Sequence, residues 1–402
     1  MFASVLTKPQ QTATDRGERG ASPFGIYLHI PFCVSKCSYC AFSSIRATHG
    51  LLEEYLEAVH EELDAYAESG AFAGRIADTV YFGGGTPSLA SPDQIATLIG
   101  HIRRAFPLAE RTEITLEANP ETVSYDKFRG FVEAGITRIS LGVQSLQAHV
   151  LRALRRAHTP QRVFQAYDDA RRAGCGNLNL DLIYGIPGQS RSDWAVTLET
   201  VFRMGPDHLS AYALTPEPGT VLGTEVVEER VALPDDEEIR AQERLLQAAL
   251  ERNGFHRYEI SNYARPGTAC RHNRHYWSGD DWLGLGASAH SHLAGHRWWN
   301  WFDPIRYLTA SRDRAWVEAH ESLRPEQRMA EGLAFGLRMV DGVDTEILRE
   351  RTGVDPWDRY GAVIGRLIEF GLATHAGGSV RLTEFGLAHA DTVAASFFEW
   401  TA

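Results

Sequence analysis

Three of the chain's five cysteines, Cys33, Cys37 and Cys40, fall within eight residues of the segment HIPFCVSKCSYCAFSS, with the spacing C-x-x-x-C-x-x-C. Three thiols cannot pair off evenly, and so few cysteines in so long a chain do not describe a disulfide scaffold. Metal binding is therefore the leading chemistry. A structural zinc site needs four protein ligands, usually as two close pairs, and the second pair is missing. Iron–sulfur clusters are also held mostly by four thiolates, so three leave one iron open to something other than protein. On the cysteines alone, a plain iron–sulfur electron-transfer or sensor protein fits as well. A chance cluster of thiols is the plain alternative, and spacing this tight disfavours it. Cys175 and Cys270 stand apart and read as buried thiols.

The elements that must position this loop are legible around it. From residue 25 to about 253, short β-rich runs alternate with amphipathic helical stretches, the order of a parallel sheet. The runs are GIYLHIP (25–31), DTVYFGGG (78–85), EITLEANP (113–120), RISLGVQS (138–145), NLNLDLIYG (177–185) and HLSAYALTP (208–216). Between the first two, Leu52, Leu56, Val59, Leu63 and Tyr66 recur at helical spacing, and Gly70 ends the helix. Most later helices open on Ser, Thr or Asp and close at Gly. Six units are two short of a closed eight-unit barrel, which leaves a partial barrel or an open doubly wound sheet. Polar or glycine-rich residues sit where each strand ends: Cys33–Cys40, Gly83–Thr86, Glu117, Gln144, Asp181 and Ala213. The carboxyl ends of parallel strands share one rim, where ligands bind, so six candidates converge on one site.

The composition bounds the rest. A chain of 402 residues with 44% apolar content buries a large core and makes about two domains. No stretch approaches the roughly 18 apolar residues of a membrane span, so a soluble protein is expected. The net charge of -12 argues against a nucleic-acid partner, although a local basic face at Arg152, Arg155 and Arg156 stays open. The cysteine usage suits a reducing compartment, the cytoplasm. Residues 1–23 read as a loose polar tail, an organelle transit peptide being the minor alternative. Residues 24–253 are the barrel and 254–324 a linking region rich in His, Trp and Gly. Residues 325–402 read as a helical, winged-helix-like domain with a turn at Gly377 and Gly378, which in an acidic chain packs rather than binds DNA.

C-x-x-x-C-x-x-C after a first strand, with an aromatic at Tyr39, resembles the radical S-adenosylmethionine superfamily. The resemblance implies that Cys33, Cys37 and Cys40 ligate a 4Fe–4S cluster whose fourth iron is chelated by the amino and carboxylate groups of S-adenosylmethionine. A reduced cluster would then cleave the sulfonium to a 5′-deoxyadenosyl radical. Within that superfamily YLHIPFC, YFGGGTPS, LEANPET, RISLGVQS, NLDLIYGIPGQ and LSAYALTPEPGT resemble, in order, blocks of the oxygen-independent coproporphyrinogen III oxidase family over about residues 24–300. S-adenosylmethionine contacts carried over in this way fall on Tyr27, Tyr39, Gly84, Gly85, Thr86, Glu117, Gln144, Arg156, Asp181 and Ala213. Glu117 and Asp181 suit ribose hydroxyls or the ammonium, and the planar fork of Arg156 suits the carboxylate. The implied fold is an α/β partial (β/α)6 barrel with a smaller helical C-terminal domain.

Two features separate the branches of this family. The oxidase carries a fourth cysteine two residues after the third, where this chain has Phe42. The segment HNRHYW (272–277) resembles the H-N-x-x-Y-W block of the HemW-type heme chaperones, which bind heme and pass it to acceptors. A neutral imidazole ligates heme iron well and flanking aromatics cover a porphyrin face, which makes His272 the candidate heme ligand and His275 the alternative. The plain alternative has these residues hydrogen-bonding a loop under the barrel mouth. The expectation is a heme chaperone binding a 4Fe–4S cluster, S-adenosylmethionine and heme, with heme-accepting proteins, membrane respiratory proteins among them, as partners. The oxidase, which decarboxylates two propionates to vinyls in porphyrin biosynthesis, is the second reading. Enzymatic activity, a homodimer and the role of RWWNW (297–301) stay open.

Overall fold

The computed structural model describes residues 23–48 and 50–398. Apart from Pro23, the N-terminal tail therefore lies outside the described residues. Six strands follow the six expected runs: β1 (Phe24–Ile30), β2 (Ala77–Gly84), β3 (Leu108–Ala118), β4 (Arg138–Gln144), β5 (Asn177–Tyr184) and β6 (His208–Ala213). They pair in parallel, each with the next. Strand periodicity sorts their side chains. One face carries Ile26 and Leu28, Val80 and Phe82, Ile114 and Leu116, Ile139 and Leu141, Leu178 and Leu180, and Leu209, all in the main apolar core. The other face carries Tyr27, Tyr81, Glu117, Ser140, Asp181 and Ser210, all lining one cavity. Apolar outside and polar inside is the pattern of a barrel that holds a ligand rather than one filled with side chains.

The helices covering the apolar face are α1 (Leu51–Ser69), α2 (Pro92–Ala105), α3 (Tyr125–Ala134), α4 (Pro160–Arg172), α5 (Arg191–Met204) and α6 (Asp236–Arg252). Their ends obey local chemistry. Ser91 caps α2 in a reciprocal box with Gln94, Ser190 does the same for α5 with Asp193, and Ser124, Thr159 and Asp235 cap α3, α4 and α6. Gly70, Gly135 and Gly205 close α1, α3 and α5 in the left-handed region.

The sheet is wider than six strands. Residues 256–322 add β7 (His256–Glu259), β8 (Asn262–Ala264), helix α7 (Arg271–Ser278), β9 (Trp282–Leu285), β10 (His290–Leu293), β11 (His296–Asn300), helix α8 (Pro304–Ser311) and β12 (Val317–Ser322). The order becomes β12-β11-β10-β9-β1-β2-β3-β4-β5-β6-β8-β7, with β9 joining β1 in parallel and the outer strands antiparallel. These runs are three to six residues long and interrupted by Gly and His, too short for periodicity to mark them. RWWNW is mostly β11. Trp298 is buried and its Nε1–H donates to Tyr66 Oη at 2.6 Å, tying the sheet extension to α1. Asn300 and Tyr307 do the same by donating to the buried Glu62, whose carboxyl burial pushes up to about 7.

Helices α9 (Pro325–Gly336), α10 (Thr345–Thr352), α11 (Pro356–Glu369) and α12 (Ala390–Phe398) form a second core with a three-stranded wing of β13 (Val343–Asp344), β14 (Ala373–Ala376) and β15 (Ser379–Leu382). The β14–β15 turn is made by Gly377 and Gly378, both at positive φ. This unit leans on α7: the Arg338 guanidinium lies 5.0 Å from the Trp277 ring centre and Arg351 donates to Ser278 O at 2.8 Å. Among the described residues, no helix is long and apolar enough to cross a membrane.

Candidate functional site

The three cysteines, the ten S-adenosylmethionine candidates and His272 line a single cavity of about 640 Å³ at the carboxyl ends of the strands and down into the barrel, and His275 does not line it. Cys33, Cys37 and Cys40 lie in the loop after β1, half-buried and unpaired. Burial pushes the Cys33 and Cys40 thiols above the usual thiol range, so a metal held here must displace their protons. The loop is pinned at both sides. Phe32–Cys33 pairs in parallel with Ile45–Arg46, and the His29 ring holds Ser43 O through Nε2 at 2.8 Å. Since a carbonyl only accepts, Nε2 carries the hydrogen and Nδ1 accepts from Tyr27 Oη at 3.0 Å. Burial drops the His29 pKa to about 4, which keeps it neutral in this role.

Thr86 Oγ1 donates to Cys33 Sγ at 3.6 Å, and Arg156 donates to Cys37 Sγ at 3.3 Å and to Gly142 O at 3.0 Å. Asn119 bridges the two, donating to Thr86 Oγ1 at 2.8 Å and accepting from Arg156. Arg156 Nε is buried in a cavity wall without a partner among the described residues, an orphan donor suited to an incoming carboxylate. Arg155 pairs outward with Glu225 at 2.8 Å, so the run of arginines is split between surface and site. The Gly-rich turn is there for clearance: a Cβ on Gly84, at φ +110°, would meet the His29 ring at 2.6 Å, and one on Gly85 would meet Phe32 O at 2.7 Å.

Glu117 accepts from Tyr81 Oη at 2.8 Å and from Gly84 N at 3.2 Å. Burial, with Asp181 nearby, pushes its carboxyl up to about 7. Asp181 accepts from Ser140 Oγ and Asn179 Nδ2, both at 2.8 Å, and burial raises its pKa too. Gln144 ends β4 in the left-handed region at φ +61°, a strained position for a non-glycine residue, and it aims the backbone at the cavity. Tyr39 packs with Val150, Leu154, Ile183 and Ile186 beside the cysteine loop. Ala213 sits on the rim at the end of β6. An open-cornered iron–sulfur cluster fits the three thiols, and S-adenosylmethionine fits a wall that combines carboxylates, an orphaned guanidinium nitrogen and backbone left bare by glycine.

The HNRHYW residues stand differently. His272 is 1% exposed, at the amino ends of β1 and β2. Its Nδ1 meets Thr79 Oγ1 at 2.8 Å and its Nε2 meets Tyr276 Oη at 2.9 Å. Burial holds its pKa at about 3. With both nitrogens engaged, His272 does not fit an axial iron ligand as it stands. Neither does His275, whose Nε2 meets Asp78 at 2.8 Å and Nδ1 meets Asp280 at 3.1 Å. Burial would lower its pKa, but the two carboxylates outweigh that and carry it to about 9, so the ring is a cation with no lone pair to give. Cys270 is buried against Glu113 and pushed up to about 12, and burial takes Cys175 to about 11, so both are inert thiols.

Sequence reasoning missed His29, Asn119, Arg138 and Asn179. Arg138 is 3% exposed in the cavity wall, and its Nε is buried with no hydrogen-bond partner among the described residues. Asn179 is the hub of the barrel floor, donating to Ser140, Asp181 and Ser210 and meeting His208 Nδ1 at 2.7 Å. The available signal was strand alternation. His29 lies two residues from Tyr27, and Asn179 two from Asp181, each on the same inner face.

Residues 27–201 match the Radical SAM superfamily and residues 323–389 the HemN C-terminal domain. The heme chaperone HemW of Mycobacterium tuberculosis is 37% identical over 92% of this chain and 94% of its own length. The heme chaperone HemW of Bacillus subtilis is 33% identical over 90% and 95%. The solved structure of the Escherichia coli coproporphyrinogen III oxidase HemN superposes over 98% of this chain and 92% of its own, with a TM-score of 0.82 at 22% identity, a likeness of fold.

Proposed function

The chain belongs to the heme chaperone HemW family of the radical SAM superfamily, and from that premise we propose that it binds a 4Fe–4S cluster, S-adenosylmethionine and heme and delivers heme to acceptor proteins. One observation carries the reading: relatives named heme chaperones match almost the full length of the chain, at 37% identity over 92% of it. The cavity supports the first two ligands. Cys33, Cys37 and Cys40 would hold the cluster, and a cluster bound there supplies one-electron reduction of a sulfonium. Arg156, with its free Nε, would take the carboxylate of S-adenosylmethionine, and Glu117 and Asp181 its hydroxyls or ammonium. His29 keeps the cysteine loop seated, and Gly84 and Gly85 leave the backbone open to the ligand.

Phe42 argues against the decarboxylase, because it stands where the oxidase has its fourth cysteine. It is 67% exposed at the cavity mouth and offers no ligand. Acceptor proteins, membrane respiratory proteins among them, and a cytoplasmic site of action belong to this proposal. The test is anaerobic reconstitution followed by hemin titration and transfer to an apo heme protein. Stoichiometric heme uptake, transfer, a cluster EPR signal perturbed by S-adenosylmethionine and lost in Cys37→Ala, and no protoporphyrinogen from coproporphyrinogen are expected. Protoporphyrinogen formation, or no heme uptake, overturns the reading.

A further inference from the structure

The two motif imidazoles are engaged, but the sheet extension presents another. His290 opens β10 on its exposed side, and neither of its ring nitrogens has a hydrogen-bond partner among the described residues. Its ring stacks on Trp299, with centroids 5.6 Å apart. It lines a second cavity, of about 290 Å³, with Phe42, Tyr276, Trp282 and Phe302. Phe42 and Phe302 are 67% and 59% exposed, unusual for phenyl rings facing one hollow. Ser43 Oγ donates to Phe302 O at 2.5 Å, which fixes the two phenyl-bearing segments side by side. Tyr27, Ala41, Phe42 and Tyr276 line this cavity and the cysteine-lined one alike, so the two share a wall.

Resting on the family reading above, we propose that heme is taken in this second cavity, with His290 as the iron ligand and Phe42 and Phe302 covering the porphyrin. The chemistry on the page selects this occupant. A neutral imidazole with a free lone pair is the commonest protein ligand for heme iron, and partial burial beside Arg297 disfavours the protonated form of His290. Exposed aromatics suit a flat apolar ring, and the Lys36 ammonium, in the adjoining cysteine-lined cavity and resting on Phe42 O at 3.4 Å, offers a cation across the shared wall for a propionate. A cavity open to solvent also suits cargo that must leave again. Tyr276 then belongs to both sites, and His272 positions it by the 2.9 Å contact to its hydroxyl.

The experiment is hemin titration of the full chain, followed by absorbance and magnetic circular dichroism, on the wild type, His290→Gly, His272→Gln and Phe42→Ser. His290→Gly is expected to lose heme affinity by about tenfold or more, at least the scale of losing a supporting residue at a metal site. Added imidazole should restore the Soret band, and His272→Gln should keep the spectral signature of histidine ligation even where its loosened hold on Tyr276 lowers heme affinity. A wild type that binds no heme removes this proposal together with the family reading. A wild type that binds heme while His290→Gly keeps its spectrum and affinity removes this proposal alone. A Phe42→Ser change in self-association with an unchanged heme spectrum likewise overturns it, in favour of a second copy on this face.

Discussion

Glu117 sits at the carboxyl end of β3 with both oxygens already accepting hydrogen bonds, yet burial leaves its carboxyl at about 7. Its charge therefore switches within the working range of the protein, and a ligand bearing a sulfonium binds the carboxylate form better. Affinity for S-adenosylmethionine should rise by about tenfold from about pH 6 to pH 8, as the fraction ionised grows. Glu117→Gln should flatten that profile and weaken binding at pH 8 by about 1.5–3 kcal/mol, the scale of a hydrogen bond to a charged group. Equilibrium dialysis across pH reads both, and a pH-independent wild type would show that Glu117 does not meet the ligand. That this residue faces the cavity was legible from the strand-end position. That its pKa lies near 7 was not, because the shift comes from burial and from Asp181 of β5 nearby, which together outweigh the hydrogen bonds from Tyr81 and Gly84 of β2.

Helix α7 carries its chemistry at the scale of the element. Its motif read as a ligand set, but packing turned it into a fastener: His272 under β1 and β2, His275 between Asp78 and Asp280, and Asp280 in turn paired with Arg351 of α10 at 3.1 Å. His275 has a folded pKa of about 9, above the ordinary value near 6.5. A raised pKa contributes stability that is complete below the unfolded value and disappears as pH rises through the folded one. The contribution is about 3 kcal/mol, at about 1.36 kcal/mol for each tenfold change in proton affinity between the ordinary value and about 9. Urea unfolding of wild type and His275→Gln should differ most at about pH 6, and the gap should narrow by about that amount towards pH 10. A gap independent of pH would mean that the ring is not charged in the folded protein. The four-residue helix turn offers one sequence clue: His272 and Tyr276 share a face at i, i+4.

The main body is one twelve-stranded sheet around the cysteine-lined cavity, so ligand binding there should be felt in the stability of that body. S-adenosylmethionine at about 100 times its dissociation constant adds about 2.7 kcal/mol to the folded state, and calorimetry of the cluster-loaded protein should show the matching rise in Tm. The same addition should leave Cys37→Ala unmoved, and an equal rise in that variant would place the ligand elsewhere than the cysteine-lined cavity. The cysteine spacing, the six parallel strands and the rim where their ends meet can be read from the chain without its fold, because each depends on local spacing: a loop length, a two-residue alternation, a cap or a closing glycine. Which imidazoles keep a free lone pair is set by long-range packing. His272 and His275 are engaged by Thr79, Tyr276, Asp78 and Asp280, all but Tyr276 and Asp280 nearly two hundred residues away, and His290 is left open beside Phe42 by strands too short to read. A hydrogen-bond partner supplied from across the chain has no period in the sequence, so the identity of a motif can be read there while the availability of its atoms cannot.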